Sequence, residues 1–283
     1  MLLQWKNKFQ NLQNNMKEIL DVTVVLPIKS SLPRDFDEYF GRAIQSLQNQ
    51  KTGFKELVIV ASQEEQLNNY LNEFEFGDLP HRIIKWTGES NFASQVNFGI
   101  ENSSSEWITV FEFDDEYSAI WFDNVKKYAS YYPNVQAFMP VVVDVDEKGV
   151  FAGFTNEAVF AANFSQEMGF LTNDILQDYQ NFQSAGMVFK KSTFDDFGGF
   201  KSSIKLTFVY EFLLRLTYNS VVMMTIPKFG YKHTNMREGS IFWNYKNGTD
   251  RMVDDEVKFW VQTAKKEYFF KEDRTIKYDS PSN

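Results

Sequence analysis

WITVFEFDDE, residues 107–116, joins a run of apolar residues to a cluster of acids. An apolar run of this kind is typical of a strand buried on both faces of a parallel sheet. Acids at the end of a buried strand are costly unless a ligand compensates them. We therefore expect residues 107–113 to form a buried strand, and Asp114, Asp115 and Glu116 to begin a ligand site.

The chain before this stretch alternates strand patterns with helix patterns. The strands are VTVVLPI (22–28), ELVIVAS (56–62), RIIKW (82–86) and 107–113, and the helices cover 36–49, 63–74 and 90–101. This alternation predicts an α/β domain with a mostly parallel sheet and helices on both faces. Ligands of such sheets bind beyond the carboxyl ends of the strands.

The second half is predicted to be more antiparallel. AFMPVVVDV (137–145) and VFAGF (150–154) flank a polar turn and indicate a hairpin. The later elements are a helix near 119–131, a strand at 185–191, a turn at 195–200, a helix at 206–218, a strand at 221–227, a polar segment at 228–240 and a helix at 254–270.

The domain layout follows from these patterns. Apolar residues recur at helical spacing over 4–19, so residues 1–20 are predicted to form an amphipathic helix packed on the domain. Residues 21–270 are predicted to be a single domain, and residues 271–283 a loose polar tail.

Composition excludes several classes of protein. The chain of 283 residues has no cysteine and two histidines, which excludes a disulfide framework and a thiolate zinc site. Its net charge of -9 is opposite in sign to that of a nucleic-acid binder. No apolar run approaches the roughly 20 residues of a membrane span, and the first ten residues lack a signal-peptide core. We expect a cytoplasmic protein without nucleic-acid partners, and a homo-oligomer is left open.

The acids at 112–116 suggest a divalent cation. Carboxylates held together repel one another, and hard oxygen ligands suit Mg²⁺ or Mn²⁺, which typically bridge to phosphate oxygens. The alternative is a solvated acidic turn. A separate Asp-x-Asp motif occurs at Asp144 and Asp146. It leads into the hairpin turn, and we interpret it as the shoulder of that hairpin.

The order of these parts resembles the inverting GT-A glycosyltransferases of the family-2 type. The matching parts are VTVVLPI, ELVIVAS, Asn97–Ile100, Glu112–Asp115, Gly198–Phe200 and YEFLLRL (210–216) with its Glu211 and Arg215. The resemblance covers about residues 21–240. It implies a GT-A (Rossmann-like) fold and transfer of a sugar from a nucleoside diphosphate, with UDP ahead of GDP, to the hydroxyl of a glycan or another acceptor.

The resemblance also implies roles for individual residues. Asp114 and Asp115 would hold the metal and the diphosphate, with Glu112 in place of the family's first Asp and His233 as a further ligand. The nucleotide would contact Pro27, Ile28, Lys29, Ser62, Glu64, Asn97, Asp114, Arg237 and Ser240. Ser62 or Glu64 stands where the family has an Asp that contacts the nucleoside, which leaves the identity of the nucleotide base open. His233 has an alternative interpretation as a surface histidine.

The catalytic base departs from the family pattern. The Glu-Asp pair that similar enzymes carry before the helix Arg falls on Phe208 and Val209, which cannot accept a proton. Glu211 is the first candidate, with an i,i+4 pair to Arg215 as its structural alternative. Asp195 and Asp196 are the second choice.

Two other functions remain open on the sequence. A sugar-nucleotide nucleotidyltransferase would need a Gly-rich phosphate loop after the first strand, and PIKSSLPRD (27–35) has no glycine. The missing Glu-Asp pair fits a catalytically impaired, GT-A-like carbohydrate-binding protein.

Overall fold

The computed structural model describes residues 17–29, 32–89, 91–157, 169–180, 182–273 and 275–279. The helix predicted over residues 1–20 falls mainly outside these ranges. Its last two residues, Ile19 and Leu20, belong instead to the first strand.

Ten strands of the described ranges form one mixed sheet. They are β1 (Ile19–Ile28), β2 (Gly53–Ser62), β3 (His81–Trp86), β4 (Trp107–Val110), β5 (Glu116–Tyr117), β6 (Ala137–Val145), β7 (Phe151–Thr155), β8 (Gly169–Leu171), β9 (Val188–Lys190) and β10 (Met223–Thr234). Their order is β3-β2-β1-β4-β9-β6-β10-β5, with β7 on β6 and β8 on β10. The pairs among β1–β4 are parallel, as is β6 with β10, whereas β9 runs antiparallel between β4 and β6.

Helices cover both faces of the sheet, as predicted. They are α1 (Phe36–Gln48), α2 (Glu65–Glu73), α3 (Phe92–Glu101), α4 (Trp121–Tyr131), α5 (Asn173–Asp178), α6 (Lys191–Phe197), α7 (Phe208–Tyr218), α8 (Ile241–Asn247) and α9 (Asp254–Glu267). One hydrophobic core joins the sheet to α1, α2 and α4, and a second joins it to α3, α7 and α9. Val24 of β1 lies in the first core and Val25 in the second, which explains why this strand is apolar at successive positions.

Two strands end at other positions than the sequence predicts. β4 ends at Val110, so residues 111–115 form a loop rather than the end of a strand. β10 continues through the polar residues to Thr234, because β6 and β5 pair with it there. The longer β10 carries His233 to the same edge of the sheet as the loop after β4.

The region around 185–200 also differs from the prediction. The strand is limited to Val188–Lys190, and helix α6 begins at Lys191. Asp195 and Asp196 are therefore helical residues and not turn residues. The turn itself is Gly198–Gly199, where Gly198 has a φ of 83°.

Residues of the polar tail contact the domain, although we expected a loose segment. Glu272 accepts hydrogen bonds from Asn97 Nδ2 at 3.1 Å and from the Gly199 N–H at 3.2 Å. Tyr278 donates to Glu267 at 2.6 Å. The tail therefore supports the turn that precedes α7.

Candidate active site

A cavity of about 1240 Å³ lies at the carboxyl edge of the sheet, where parallel α/β sheets bind their ligands. Its walls come from several parts of the chain. They include Pro27–Lys29 at the end of β1, Glu112–Asp114 after β4, Asp144 and Thr155 of the β6–β7 hairpin, Phe182–Ala185, Leu206–Tyr210 before and within α7, and His233–Phe242 at and beyond the end of β10. Glu112 and Asp114 thus line this cavity.

Three side chains at this edge of the sheet form a group suited to a metal ion: Glu112 and His233 line the cavity, and Asp115 is buried in contact with His233. One ligand atom each from Glu112, Asp115 and His233 lie within 4.8 Å of one another. Asp115 is fully buried, and its Oδ2 lies 3.1 Å from His233 Nδ1. The Thr234 N–H donates to Asp115 Oδ1 at 2.8 Å and fixes the carboxylate. Two carboxylates and an imidazole fit Mn²⁺ or Mg²⁺.

The protonation of these groups reflects their crowding. Burial, followed by the charges of Asp115 and Asp114, raises the pKa of Glu112 to about 8. Burial opposes the charge on His233, but the Asp115 carboxylate and its hydrogen bond raise the pKa of His233 to about 10. Protons on Glu112 and His233 therefore balance the negative charge of the group. A divalent cation bound there would displace these protons and balance the same charge.

Asp114 makes a separate ion pair beside this group. Arg237 Nε donates to Asp114 Oδ2 at 2.5 Å, and the guanidinium lies 4.9 Å from the ring centroid of Phe113. Thr234 Oγ1 donates to the Asp114 carbonyl at 2.5 Å. Burial and the neighbouring Asp115 raise the pKa of Asp114, while Arg237 opposes the rise. Asp114 is outside the three-residue group and instead positions Arg237 at the cavity.

The residues predicted to bind the nucleotide divide into two sets. Those that line the cavity are Pro27, Ile28, Lys29, Asp114, Arg237 and Ser240. Burial lowers the pKa of Lys29, whereas the nearby charge of Glu112 raises it by a smaller amount. Ser240 also caps α8, since its side chain accepts from the Trp243 N–H.

Ser62, Glu64 and Asn97 lie outside the lining of this cavity and have structural contacts. Ser62 Oγ donates to the Ile28 carbonyl at 3.2 Å, and Glu64 is an exposed residue before α2. Asn97 is buried, and its side chain makes two hydrogen bonds of 2.8 Å to the Phe200 backbone. These contacts hold the sheet edge and the Gly198–Phe200 turn in place.

None of the three candidate bases is among the residues that line the cavity. Glu211 is fully buried and forms a bidentate pair with Arg215, at 2.9 and 3.0 Å, and a contact of 3.2 Å to Lys201. Asp195 is exposed on α6 and pairs with Lys191 at 2.8 Å, and Asp196 is exposed on the same helix. Glu211 thus makes the i,i+4 ion pair with Arg215 that was the alternative to its role as the base.

Arg215 explains why Glu211 is buried. Its guanidinium also donates to the carbonyls of Phe197, Gly198 and Gly199, at 2.5, 3.0 and 2.6 Å. The pair stabilises the turn before α7, and the position of this helix shapes the cavity wall.

Sequence reasoning missed the polar wall formed by Asp144, Thr155 and Gln183. We interpreted Asp144 from the sequence as the shoulder of a hairpin, and the residue pattern of β6 does not indicate that Asp144 lines a cavity.

A smaller cavity of about 180 Å³ adjoins the main one, shares Lys29 and Phe92 with it and adds Asn91, Lys205 and Tyr245.

The order of the sheet and the acids at its carboxyl edge define a GT-A fold. A sequence model of glycosyl transferase family 2 matches residues 23–194, more than half of the chain. The chain belongs to this family. No curated protein matches it by sequence.

Solved structures of S. aureus TarS are similar in fold. The structure in complex with UDP-GlcNAc has a TM-score of 0.63 and 14% identity, with 87% of this chain and 65% of that chain covered. The complex with UDP has a TM-score of 0.57 and 15% identity, with 76% and 60% covered. The chain therefore spans about 60% of the length of that TarS chain. No helix among the described residues is long and apolar enough to cross a bilayer.

Proposed function

We propose that the protein is a glycosyltransferase that moves a sugar from a nucleoside diphosphate to an acceptor hydroxyl, with a divalent metal and with inversion. The observation that carries this proposal is the group of Glu112, Asp115 and His233, in which Glu112 and His233 line the same cavity as Arg237. Carboxylates alone would repel a diphosphate, whereas a bound cation and an arginine attract it. Membership of glycosyl transferase family 2 supports the same reaction class.

We assign the donor to UDP first and GDP second, because similar structures hold UDP and UDP-GlcNAc. Glu112, Asp115 and His233 would hold Mn²⁺ or Mg²⁺, which supplies positive charge to the leaving diphosphate. Arg237, kept in place by Asp114, adds a second positive group for the phosphate oxygens. Pro27, Ile28 and Lys29 line the cavity and would contact the nucleoside, and Ser240, which also lines it, would contact the phosphates.

A catalytically impaired carbohydrate-binding protein is the second candidate. It is favoured by one observation, namely that Glu211, Asp195 and Asp196 do not line the cavity. The two candidates differ in turnover and not in binding of the donor.

The test combines ligand binding with turnover. A ligand present at 100 times its Kd stabilises the folded state by about 2.7 kcal/mol. For a chain of this size each kcal/mol shifts the Tm by about 2 °C or more. We expect Mn²⁺ with UDP to raise the Tm by several degrees, Asp115→Asn to abolish this rise, and the exposed control Asp195→Asn to retain it.

Turnover and stereochemistry complete the test. Release of UDP from UDP-GlcNAc distinguishes the transferase from the impaired protein, and the anomeric configuration of the product by NMR tests inversion. Absence of a Tm shift with UDP, GDP and dTDP, each with Mn²⁺, would contradict the metal–nucleotide assignment.

A further inference from the structure

Asp144 is a buried acid in the cavity wall that no step above uses. It lies near the end of β6, is 6% exposed and lines the main cavity. It pairs in register with His233 of the parallel neighbour β10. Residues in register on parallel strands project from the same face of a sheet, so Asp144 lies beside the proposed metal group.

The contacts of Asp144 leave its carboxylate able to accept more hydrogen bonds. Thr155 Oγ1 donates to Oδ2 at 2.5 Å, and Gln183 Nε2 donates to Oδ1 at 3.3 Å. An ionised carboxylate offers about four lone-pair positions, so these two donors fill about half of them. Within the described ranges, no Lys or Arg forms an ion pair with Asp144. A hydroxyl group entering the cavity can donate to this carboxylate.

Asn156 holds this arrangement in place. The Gln183 N–H donates to Asn156 Oδ1 at 3.0 Å, while Asn156 Nδ2 donates to the carbonyls of Gln183 and Pro140 at 3.1 Å each. Asn156 is fully buried and has a φ of 70°, a conformation that Asn tolerates better than most residues. The segment carrying Gln183 is thus fixed to the β6–β7 hairpin before any acceptor arrives, as a preorganised site requires.

The other acids that line the cavity are either engaged or, like Asp35 and Glu238, exposed. Glu112 belongs to the proposed metal group, and Asp114 pairs with Arg237. Glu147 accepts a hydrogen bond from the Glu238 N–H. The position at which similar enzymes have an acid is occupied by Val209, which lines the same cavity. Asp144 is the buried acid that remains for the acceptor.

We propose that Asp144, positioned by Thr155 and Gln183, binds the acceptor hydroxyl and removes its proton during transfer. This inference rests on the proposed function. The acceptor oxygen forms a bond to the anomeric carbon, and the bond from that carbon to the diphosphate oxygen breaks. The diphosphate keeps the electron pair of the broken bond, and the proton of the hydroxyl moves to the Asp144 carboxylate.

The test uses the full chain with Mn²⁺ and UDP-GlcNAc, with water and then glycerol as the acceptor. We expect Asp144→Asn to lower kcat for UDP release about 10²- to 10⁴-fold, the usual contribution of a general base. The Kd for UDP should stay within about twofold, because binding of the donor does not use Asp144. The matched control is Asp146→Asn in the same Asp-x-Asp, an exposed side chain that accepts from the Lys148 and Val150 N–H groups. It should keep the wild-type kcat.

A second variant guards against misfolding of the first. Gln183→Leu removes one donor to Asp144 and should lower kcat severalfold with little change in Tm. If Asp144→Asn, folded by its Tm and binding UDP, retains more than a tenth of the wild-type kcat, the inference is overturned while the proposed function stands. If the wild-type protein releases no UDP from UDP-, GDP- or dTDP-sugars, the proposed function fails, and this inference fails with it.

Discussion

His233 Nδ1 lies 3.1 Å from Oδ2 of the buried Asp115, a contact between residues 118 positions apart in the chain. It joins the end of β10 to the loop after β4. The contact gives the imidazole a fixed orientation and brings it to Glu112, so it creates the proposed metal group. Binding of the metal, and with it the proposed activity, depends on this contact.

The affinity for Mn²⁺ should rise with pH. The pKa of Glu112 is raised to about 8 and that of His233 to about 10, so both groups carry protons near pH 7. A metal must displace these protons, which becomes easier as pH increases. Calorimetry at pH 6.5 and 8.5, in buffers of different ionisation enthalpy, should show tighter binding at the higher pH and proton release at both. Equal affinity at the two values would contradict the assignment.

Without metal, stability should fall as pH rises from about 6.5 to 10. A His whose pKa is raised on folding stabilises the protein below its unfolded value of 6.5, and this stabilisation is lost as pH rises through about 10. Glu112 acts in the same direction between 4.5 and about 8, because the folded state keeps a proton that the unfolded state releases. Urea unfolding in EDTA measures the slope, which should be shallower in His233→Asn.

Glu211→Gln should damage stability rather than chemistry. Removing one member of a buried ion pair costs about 3–5 kcal/mol, because it leaves the other charge uncompensated. Here Arg215 would lose its carboxylate partner, and Lys201 would lose the nearer of its two. The control is Glu38→Gln, which removes an exposed i,i+4 pair with Arg42 and should cost at most about 0.5 kcal/mol. A stable Glu211→Gln with abolished turnover would restore Glu211 as the base.

Arg237→Lys should weaken binding of UDP. Lysine keeps the charge but loses the planar contact with Phe113 and the Nε hydrogen bond to Asp114. We expect the Kd to rise about tenfold, which corresponds to about 1.4 kcal/mol. Arg42→Lys is the control, since Arg42 lies 4.9 Å from the Tyr39 ring centroid but is not among the cavity-lining residues. Titration calorimetry with Mn²⁺ present measures both variants.

Gly99→Ala should destabilise the fold, whereas Gly41→Ala should not. A Cβ on Gly99 would lie 2.4 Å from Val25 Cγ1 and 2.9 Å from Val60 Cγ2, both in a well-packed core. Such overpacking costs about 1–3 kcal/mol. A Cβ on Gly41, in helix α1, meets nothing within 4 Å, so alanine there should stabilise the helix by about 0.5–1 kcal/mol. Urea unfolding should give shifts of opposite sign.

The candidate site was only partly predictable. The acids of 112–115 are adjacent in sequence and follow a strand pattern, so their place at the sheet edge follows from the chain itself. The division of labour between Asp114 and Asp115 does not, because it depends on Arg237 and His233, more than a hundred residues away. For Glu211, the sequence predicted the helix. It did not predict that the side chain points to Arg215 and away from the cavity.

The sequence by itself determined the four parallel strands, the helices between them and the acids that follow the fourth strand, because apolar periodicity and chain breaks are local properties. Only the tertiary structure decided that a polar segment extends β10 to Thr234, that Asn97 and Glu211 support a turn, and that Asp144 lines the cavity. Each of these depends on which strands pair and in which register. Pairing brings together residues far apart in the chain, and a single sequence carries no direct sign of it.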